Sequence, residues 1–125
     1  MMLKVRHMSF GFPPVIYVCY YACAEWDSSV AVMNLQDVDA RFLISVFAQN
    51  GILRWSSAYK LKKHATEIIS LDDKVPGGRG NRGMVVVCPD RDEQEGFEFP
   101  SVLWIAPEGG KAPVEFIPFI RVWRE

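Results

Sequence analysis

The sequence predicts a single α+β domain over residues 1–125, with a mostly antiparallel β-sheet and one or two helices packed on one face. Three observations lead to this prediction. Runs of β-branched and aromatic residues lie near both ends of the chain, apolar patterns typical of helices lie between residues 34 and 70, and prolines divide the remainder into short pieces. A chain of this size buries roughly two-thirds of the surface that it exposes when unfolded, which is enough for one core.

The first part of the chain is typical of strands. Residues 2–10 alternate loosely between apolar and polar side chains and stop at the break GFPP. The run VIYVCYYACA, residues 15–24, is dense in β-branched and aromatic residues, which predicts a strand buried on both faces. We expect a turn over residues 25–29 and a short returning strand over residues 30–33.

Residues 34–51 have the pattern of an amphipathic helix. Asn34 is a favourable N-cap, and Asp37 and Asp39 fall in the first turn, where negative charge stabilises the helix dipole. Gly51 supplies the left-handed stop that commonly ends a helix. We favour the helix because both of its ends carry signals and its first turn is acidic.

The same segment also fits a β-hairpin. Asn50–Gly51 is a strong signal for a two-residue turn between antiparallel strands. The hairpin would place one set of side chains on a common face: Phe42, Ile44, Val46, Ala48, Leu53, Trp55 and Tyr59. This alternative stays open at the level of the sequence.

A second amphipathic helix is predicted after residue 55. Ser56 or Ser57 is its N-cap, and apolar residues recur at helical spacing from Ala58 to Ile69. Its outer face would show Lys60, Lys63, His64 and Glu67.

The C-terminal part of the chain favours short strands. Prolines at positions 76, 89, 100, 107, 113 and 118 leave no room for helices of useful length. Three segments are typical of strands: residues 84–88, 101–106 and 114–123. Pro118 places the last of them at a sheet edge or a bulge, because proline cannot donate a hydrogen bond to a neighbouring strand.

The segment GRGNRG, residues 78–83, fits three phosphate-binding patterns but lacks the context of each. A dinucleotide site requires a helix directly after the glycines, whereas residues 84–87 read as a strand. A P-loop requires Lys and Ser or Thr where Met84 and Val85 stand. The segment also resembles the glycine-rich hairpin of protein kinases over eight residues, but the chain lacks the other kinase motifs. We therefore predict a flexible turn that leads into a strand.

Two groups of cationic side chains are candidate partner-binding residues. The first follows Trp55 and Tyr59, and the second projects from the glycine-rich segment. The candidates are Lys60, Lys62, Lys63 and His64 in the first group, and Arg79 and Arg82 in the second. A solvated helix face and a mobile loop explain the same residues without any partner. The net charge of −1 provides no overall field that would attract nucleic acid.

Other chemistries lack a required member. The three cysteines, Cys19, Cys23 and Cys88, do not have the spacing of a zinc site and are interpreted as buried thiols of a reducing compartment, so a cytoplasmic location is expected. The acidic run of residues 89–98 lacks the central glycine of a calcium loop, and we interpret it as a solvated hairpin loop. No cofactor is expected.

The functional expectation is a small non-catalytic interaction protein that binds a protein partner, of the inhibitor, immunity-protein or adaptor type. The load of aromatic residues, including four tryptophans, exceeds what one small core readily hides. A nucleic-acid-binding protein that uses a local basic patch and the Arg/Gly-rich loop is the alternative. Association between copies of the chain and an enzymatic activity near His64 or Cys88 are further alternatives, and no membrane partner is expected.

Overall fold

The computed structural model describes residues 2–5, 15–22, 26–75, 82–90, 96–107 and 115–124. These residues form ten β-strands and one four-residue helix, α1. The elements are β1 Met2–Val5, β2 Val15–Ala22, β3 Trp26–Met33, β4 Ala40–Ala48, β5 Leu53–Leu61, β6 Thr66–Ser70, α1 Leu71–Lys74, β7 Arg82–Pro89, β8 Ser101–Pro107, β9 Glu115–Pro118 and β10 Ile120–Arg124. The prediction of a mostly antiparallel β domain is confirmed, and the fold class is mainly β.

The strands form two stacked sheets. Sheet A has the order β1-β10-β2-β7-β4-β5, and sheet B has the order β6-β3-β8-β9. The pair β1–β10 is parallel, and the other strand pairs are antiparallel. Side chains at alternate positions of both sheets, such as Phe42 and Val87 from sheet A and Val30 and Leu103 from sheet B, share one core cluster.

The helix predicted over residues 34–51 is wrong, and the alternative hairpin is present, although residues 49–52 join its strands and not a two-residue Asn50–Gly51 turn. β4 and β5 pair antiparallel across a turn in which Gly51 has a φ of 89°. Phe42, Ile44 and Val46 are fully buried at alternate positions of β4. β4 also pairs with β7, so it is an interior strand of sheet A. Every second side chain of β4 therefore points into the core.

The second predicted helix is also wrong. β5 belongs to sheet A and β6 to sheet B, and a turn over residues 62–65 joins them. Leu61 and Ile69 enter the core from the two different sheets, whereas Ala58 and Ile68 are exposed. The apolar spacing that suggested one helix face thus comes from two strands. The expected packing of long helices on one face is replaced by sheet-on-sheet packing.

The strands expected from composition are found. Those predicted over residues 15–24, 30–33, 84–88 and 101–106 correspond to β2, β3, β7 and β8, and the last predicted strand divides into β9 and β10. Pro118 ends β9, which is an edge strand as predicted. Residues 26–29, which were expected to form a turn, belong to β3, while residues 23–25 lie outside the described residues. Of the strand predicted over residues 2–10, the structure describes residues 2–5, which form β1, and residues 6–10 lie outside the described residues.

The strand that follows the glycine-rich segment is confirmed. β7 begins at Arg82, so the chain continues from Gly83 as a strand and does not form the helix that a dinucleotide site requires. Residues 78–81, including Arg79, lie outside the described residues.

Candidate functional site

The outer face of sheet B is apolar over most of its described area. We call this surface the apolar face and define it by eight residues: Ala31, Met33, Thr66, Ile68, Val102, Trp104, Phe116 and Pro118. Strand pairing sets these residues side by side, as in the pairs Ala31–Ile68 and Trp104–Phe116. Ile68 is 57% exposed and Phe116 is 63% exposed. An antiparallel sheet with one solvated side normally carries polar residues there, so this face differs from an ordinary solvated surface.

The apolar face carries almost no charge. Outward positions alternate with the core positions Val30, Val32 and Leu103. Among the outward positions of the described strands of sheet B, only Asp27, near the start of β3, carries a charged side chain. A surface of this composition favours contact with another apolar surface over contact with water.

Trp104 and Phe116 form the aromatic part of the apolar face. Their ring centroids are 5.7 Å apart, with an interplanar angle of 41°. The indole Nε1 of Trp104 is shielded from solvent and has no hydrogen-bond acceptor among the described residues. A shielded donor without an acceptor costs on the order of 1–3 kcal/mol, so the arrangement is less favourable than a fully solvated or fully paired one.

A recess of about 410 Å³ lies at one end of the apolar face. Met33, Val102 and Pro118 from the apolar face line it together with Tyr17 and Phe119. Phe119 joins β9 of sheet B to β10 of sheet A and donates its backbone N–H to the Ser101 carbonyl at 3.0 Å, which fixes this corner of the fold. The recess has the volume of a small ligand pocket and suits one apolar or aromatic side chain.

Tyr17, Glu98 and Arg121 form a polar cluster beside the recess. Tyr17 on β2 and Arg121 on β10 are cross-strand partners. The Tyr17 hydroxyl donates to the Glu98 carboxylate, and Arg121 Nε lies 3.1 and 3.0 Å from its two oxygens. The cluster therefore ties the segment before β8 to sheet A, whereas the sequence had suggested that Glu98 belongs to a solvated loop.

The environment of the cluster shifts its pKa values in opposite directions. Burial, together with the hydrogen bond to Glu98, raises the pKa of Tyr17 above its ordinary value. Burial also tends to raise the pKa of Glu98, but hydrogen bonds from Arg121 and Tyr17 outweigh it, and the net pKa lies below the ordinary value. Glu98 is thus held as a carboxylate and Tyr17 as a neutral donor.

Glu98→Gln is expected to lower the free energy of unfolding at pH 7 by about 1–2 kcal/mol, because charge-assisted hydrogen bonds are lost. The ionised form stabilises the fold above the ordinary carboxyl pKa of 4.5, and this contribution disappears as the pH falls through the lower folded value. The difference between wild type and variant should therefore shrink below pH 4.5 in urea titrations across this range. Glu115→Gln, at an exposed position of β9, is the control, and a pH-independent difference for Glu98→Gln would contradict the expectation.

Asn34 connects the loop after β3 to the β5–β6 turn. Its side chain is fully buried, and Nδ2 lies 2.9 Å from the Val38 carbonyl and 3.2 Å from the carbonyls of Leu61 and Lys62. Its Oδ1 accepts from the backbone N–H of Gln36 at 3.0 Å. The sequence had suggested a helix N-cap at this residue, and the structure instead gives it hydrogen bonds to the loop and to the β5–β6 turn.

Gln36 continues the network towards the recess. Its side-chain amide lies 2.7 Å from Asn34 Oδ1 and 2.9 Å from the Glu98 carbonyl, and its Oε1 accepts from the Glu98 backbone N–H. One connected set of hydrogen bonds thus runs from Asn34 through Gln36 and Glu98 to Tyr17 and Arg121. Composition and local spacing gave no indication of these contacts.

The structure brings most of the predicted partner-binding residues to one end of sheet A. β5 and the turn after it carry Lys60, Lys62, Lys63 and His64. Arg82 begins β7, and its neighbour Gly83 pairs with Ala48, whereas Lys60 pairs with Arg41. Seven residues of β4 separate these two pairings, which corresponds to about 23 Å along the strand. Arg82 therefore does not belong to the same surface.

Acidic side chains of the loop before β4 contact the turn. His64 has a φ of 60°, and its Nε2 lies 2.9 Å from Asp37 Oδ1. The backbone N–H of Lys63 donates to Asp39 Oδ1 at 3.1 Å. Asp37 and Asp39, which had suggested the first turn of a helix, thus hold the turn in place.

The described cysteines are not suited to nucleophilic chemistry. Cys19 and Cys88 are free thiols and are buried, as expected. Burial raises the pKa of Cys19 to about 11, and burial together with the charge of Asp90 raises the pKa of Cys88 to about 12. A reactive cysteine requires the opposite shift. Cys23 lies outside the described residues. Among the residues that the structure describes, no three or more His, Cys, Asp or Glu side chains form a cluster that could hold a metal ion.

Within the described ranges, no helix has the length and apolar character needed to cross a membrane.

Comparison with known proteins identifies a similar fold. No family model and no curated protein sequence matches the chain. A solved structure titled "Crystal Structure of Thermotoga maritima 1070" is similar with a TM-score of 0.64, at 9% sequence identity, over 88% of this chain and 95% of that chain. At this identity the similarity concerns the fold alone.

Proposed function

We propose that the protein is a small non-catalytic interaction protein that binds a protein partner through the apolar face of sheet B. The observation that carries the proposal is the composition of this face. Ile68 and Phe116 are more than half exposed, and among the outward positions of the described strands of sheet B only Asp27 is charged. Exposed, contiguous apolar surface of this kind marks interaction sites in proteins. The proposed class is the inhibitor, immunity-protein or adaptor type.

The proposed partner is a different protein that presents an uncharged apolar segment. Four strands and two outward residues per strand give a face of about 20 Å by about 13 Å, so a second copy stacked on it would bury about 500 Å² in total. Stable complexes bury about 1,200–2,000 Å². A different partner can extend beyond the face onto its polar rim, and one of its apolar side chains would fill the recess beside Tyr17.

The unpaired indole N–H of Trp104 supports this assignment. Phe116 packs against Trp104, and no described residue supplies an acceptor for the indole N–H. A partner that moves the exposed Phe116 ring would give this N–H a carbonyl acceptor. Binding would then remove an unfavourable feature of the free protein, which is consistent with a surface built for contact.

A negative charge introduced on the apolar face is expected to weaken partner binding. We expect wild-type protein to capture a stoichiometric, nuclease-resistant partner from an extract of the source organism, and Ile68→Glu and Phe116→Glu to weaken affinity for the purified partner at least about tenfold. Val38→Glu is the control, because Val38 is 53% exposed in the loop before β4 and lies off the face.

Two results would contradict the proposal. One is equal capture by the wild type and both face variants. The other is capture that disappears on nuclease treatment or falls steeply between about 50 and about 200 mM salt, as phosphate-driven binding does. The second result would support the alternative function, nucleic-acid binding. Sedimentation of each variant checks that the fold is retained.

A further inference from the structure

β5 is a long edge strand of sheet A, which is the sheet opposite the apolar face. It is nine residues long and contains neither proline nor glycine. It ends the strand order of sheet A, so no described strand pairs with its outer side. Ser56, Ala58 and Lys60 are exposed along it. Proteins usually shorten, bend or cover such edges, because their free N–H and C=O groups pair readily with another strand.

The charge on this edge has one sign. Residues 53–65 contain four Lys or Arg residues and no Asp or Glu. Lys60 and Lys62 are two positions apart, so their side chains lie on the same face of the strand and its extension, whereas Arg54 is the extra residue at the irregularity of the β4–β5 pairing. Lys60 and Lys62 are exposed, and neither makes an ion pair with the described residues. The edge therefore combines free backbone groups with a row of cations.

We propose that β5 binds an extended, acidic segment of a protein partner as an added strand. In an antiparallel pair, alternate residues direct their N–H and C=O groups to one side, and the residues between them direct theirs to the other. The incoming backbone would pair with the outward groups of β5, and acidic side chains at alternate positions would lie near Lys60 and Lys62. Each opposite-charge pair across two strands contributes roughly 0.2–1 kcal/mol of pairing preference.

Self-pairing of β5 is disfavoured by the same charges. In a dimer formed through two β5 edges, the four Lys or Arg residues of residues 53–65 in one copy would lie close to those of the other, with no acidic residue in that segment to pair with them. Like charges at directly opposed positions are destabilising. Nucleic acid would match the cations but offers no backbone ladder for the strand edge. An acidic polypeptide satisfies both features.

The proposal is tested with a synthetic nine-residue peptide that alternates Glu with Val or Thr, matching the length of β5. A peptide with Lys in place of each Glu and a single-stranded thymidine oligonucleotide are the comparison probes. We expect the acidic peptide to bind with a Kd below about 1 mM and to slow amide hydrogen exchange in β5. Lys60→Glu should weaken binding about fivefold, and Lys60→Glu combined with Lys62→Glu about twentyfold. Lys74→Glu, at an exposed position of α1, should leave binding of the acidic peptide unchanged.

Four results would overturn the proposal: equal binding of the lysine peptide, unchanged hydrogen exchange in β5, tighter binding of the oligonucleotide, or dimerisation of the free protein through β5 in sedimentation experiments. Ile68→Glu is expected to bind the acidic peptide normally, because Ile68 belongs to sheet B. The test of this edge is therefore independent of the test of the apolar face.

Discussion

Gly83→Ala is expected to lower the free energy of unfolding by about 3 kcal/mol or more. A Cβ at this position would lie 1.7 Å from the Phe47 carbonyl oxygen and 2.8 Å from its carbon. Both atoms are backbone, so a side-chain rotation cannot relieve the overlap. β4 and β7 would have to separate beside the irregularity between Val46 and Phe47, inside sheet A.

Gly51→Ala provides the matched control for this measurement. Gly51 has a φ of +89°, but nothing lies within 4 Å of a Cβ built there. The substitution should therefore cost only the backbone strain of a positive φ, on the order of 1 kcal/mol. Urea denaturation of the two variants and the wild type gives the comparison. Equal midpoints for Gly83→Ala and Gly51→Ala would contradict the steric argument.

The packing of Gly83 gives the last glycine of GRGNRG a structural role. The close approach of two strands requires a residue without a side chain at this position. Strand packing, and not a need to expose backbone amides, therefore accounts for the glycine at position 83 of this phosphate-binding pattern. The surrounding sequence already indicated a strand, because Met84 to Val87 are typical of one.

Local composition was sufficient to predict the strands near both ends of the chain. β2 and β7 are dense in β-branched and aromatic residues, and no helical period competes with that signal. In and beside β4, polar residues recur at every fourth position, a spacing that also fits one side of a helix: Asp37, Arg41, Ser45 and Gln49. Ser45 is in fact buried and lies 3.0 Å from Ser56 Oγ across the hairpin. Long-range pairing with β7, which no local window contains, decides between the two periodicities.

The sequence predicted the position of the lysine group better than that of the polar cluster around Glu98. Lys60, Lys62 and Lys63 stay together in space because they are neighbours in the chain, although the helix that was expected to present them is absent. The contact between Tyr17 and Glu98 spans 81 residues, so only the pairing of the sheets creates it. The tryptophan count indicated excess aromatic surface, but strand order determines that Trp104 lies on the outer face next to Phe116.

Asn34→Ala is expected to lower the free energy of unfolding by about 3 kcal/mol, which would place it beside Gly83→Ala among the most damaging substitutions. The variant removes the amide that lies within 3.2 Å of the carbonyls of Val38, Leu61 and Lys62, and it removes the acceptor for Gln36. Because residue 34 is fully buried, water cannot replace these partners without opening the β5–β6 turn.

The second effect of Asn34→Ala should be local. Hydrogen exchange of the Ala65 amide, which donates to the Lys62 carbonyl at 3.0 Å, should accelerate more than exchange in β7, because the turn loses its internal support while the middle of sheet A keeps its pairing. Asn50→Ala is the control, since Asn50 is exposed and its side chain accepts one bond from the Ile52 N–H at 3.2 Å. That variant should change stability by less than about 0.5 kcal/mol. Equal losses from the two asparagine substitutions would show that the buried amide does not hold the loop and the turn together.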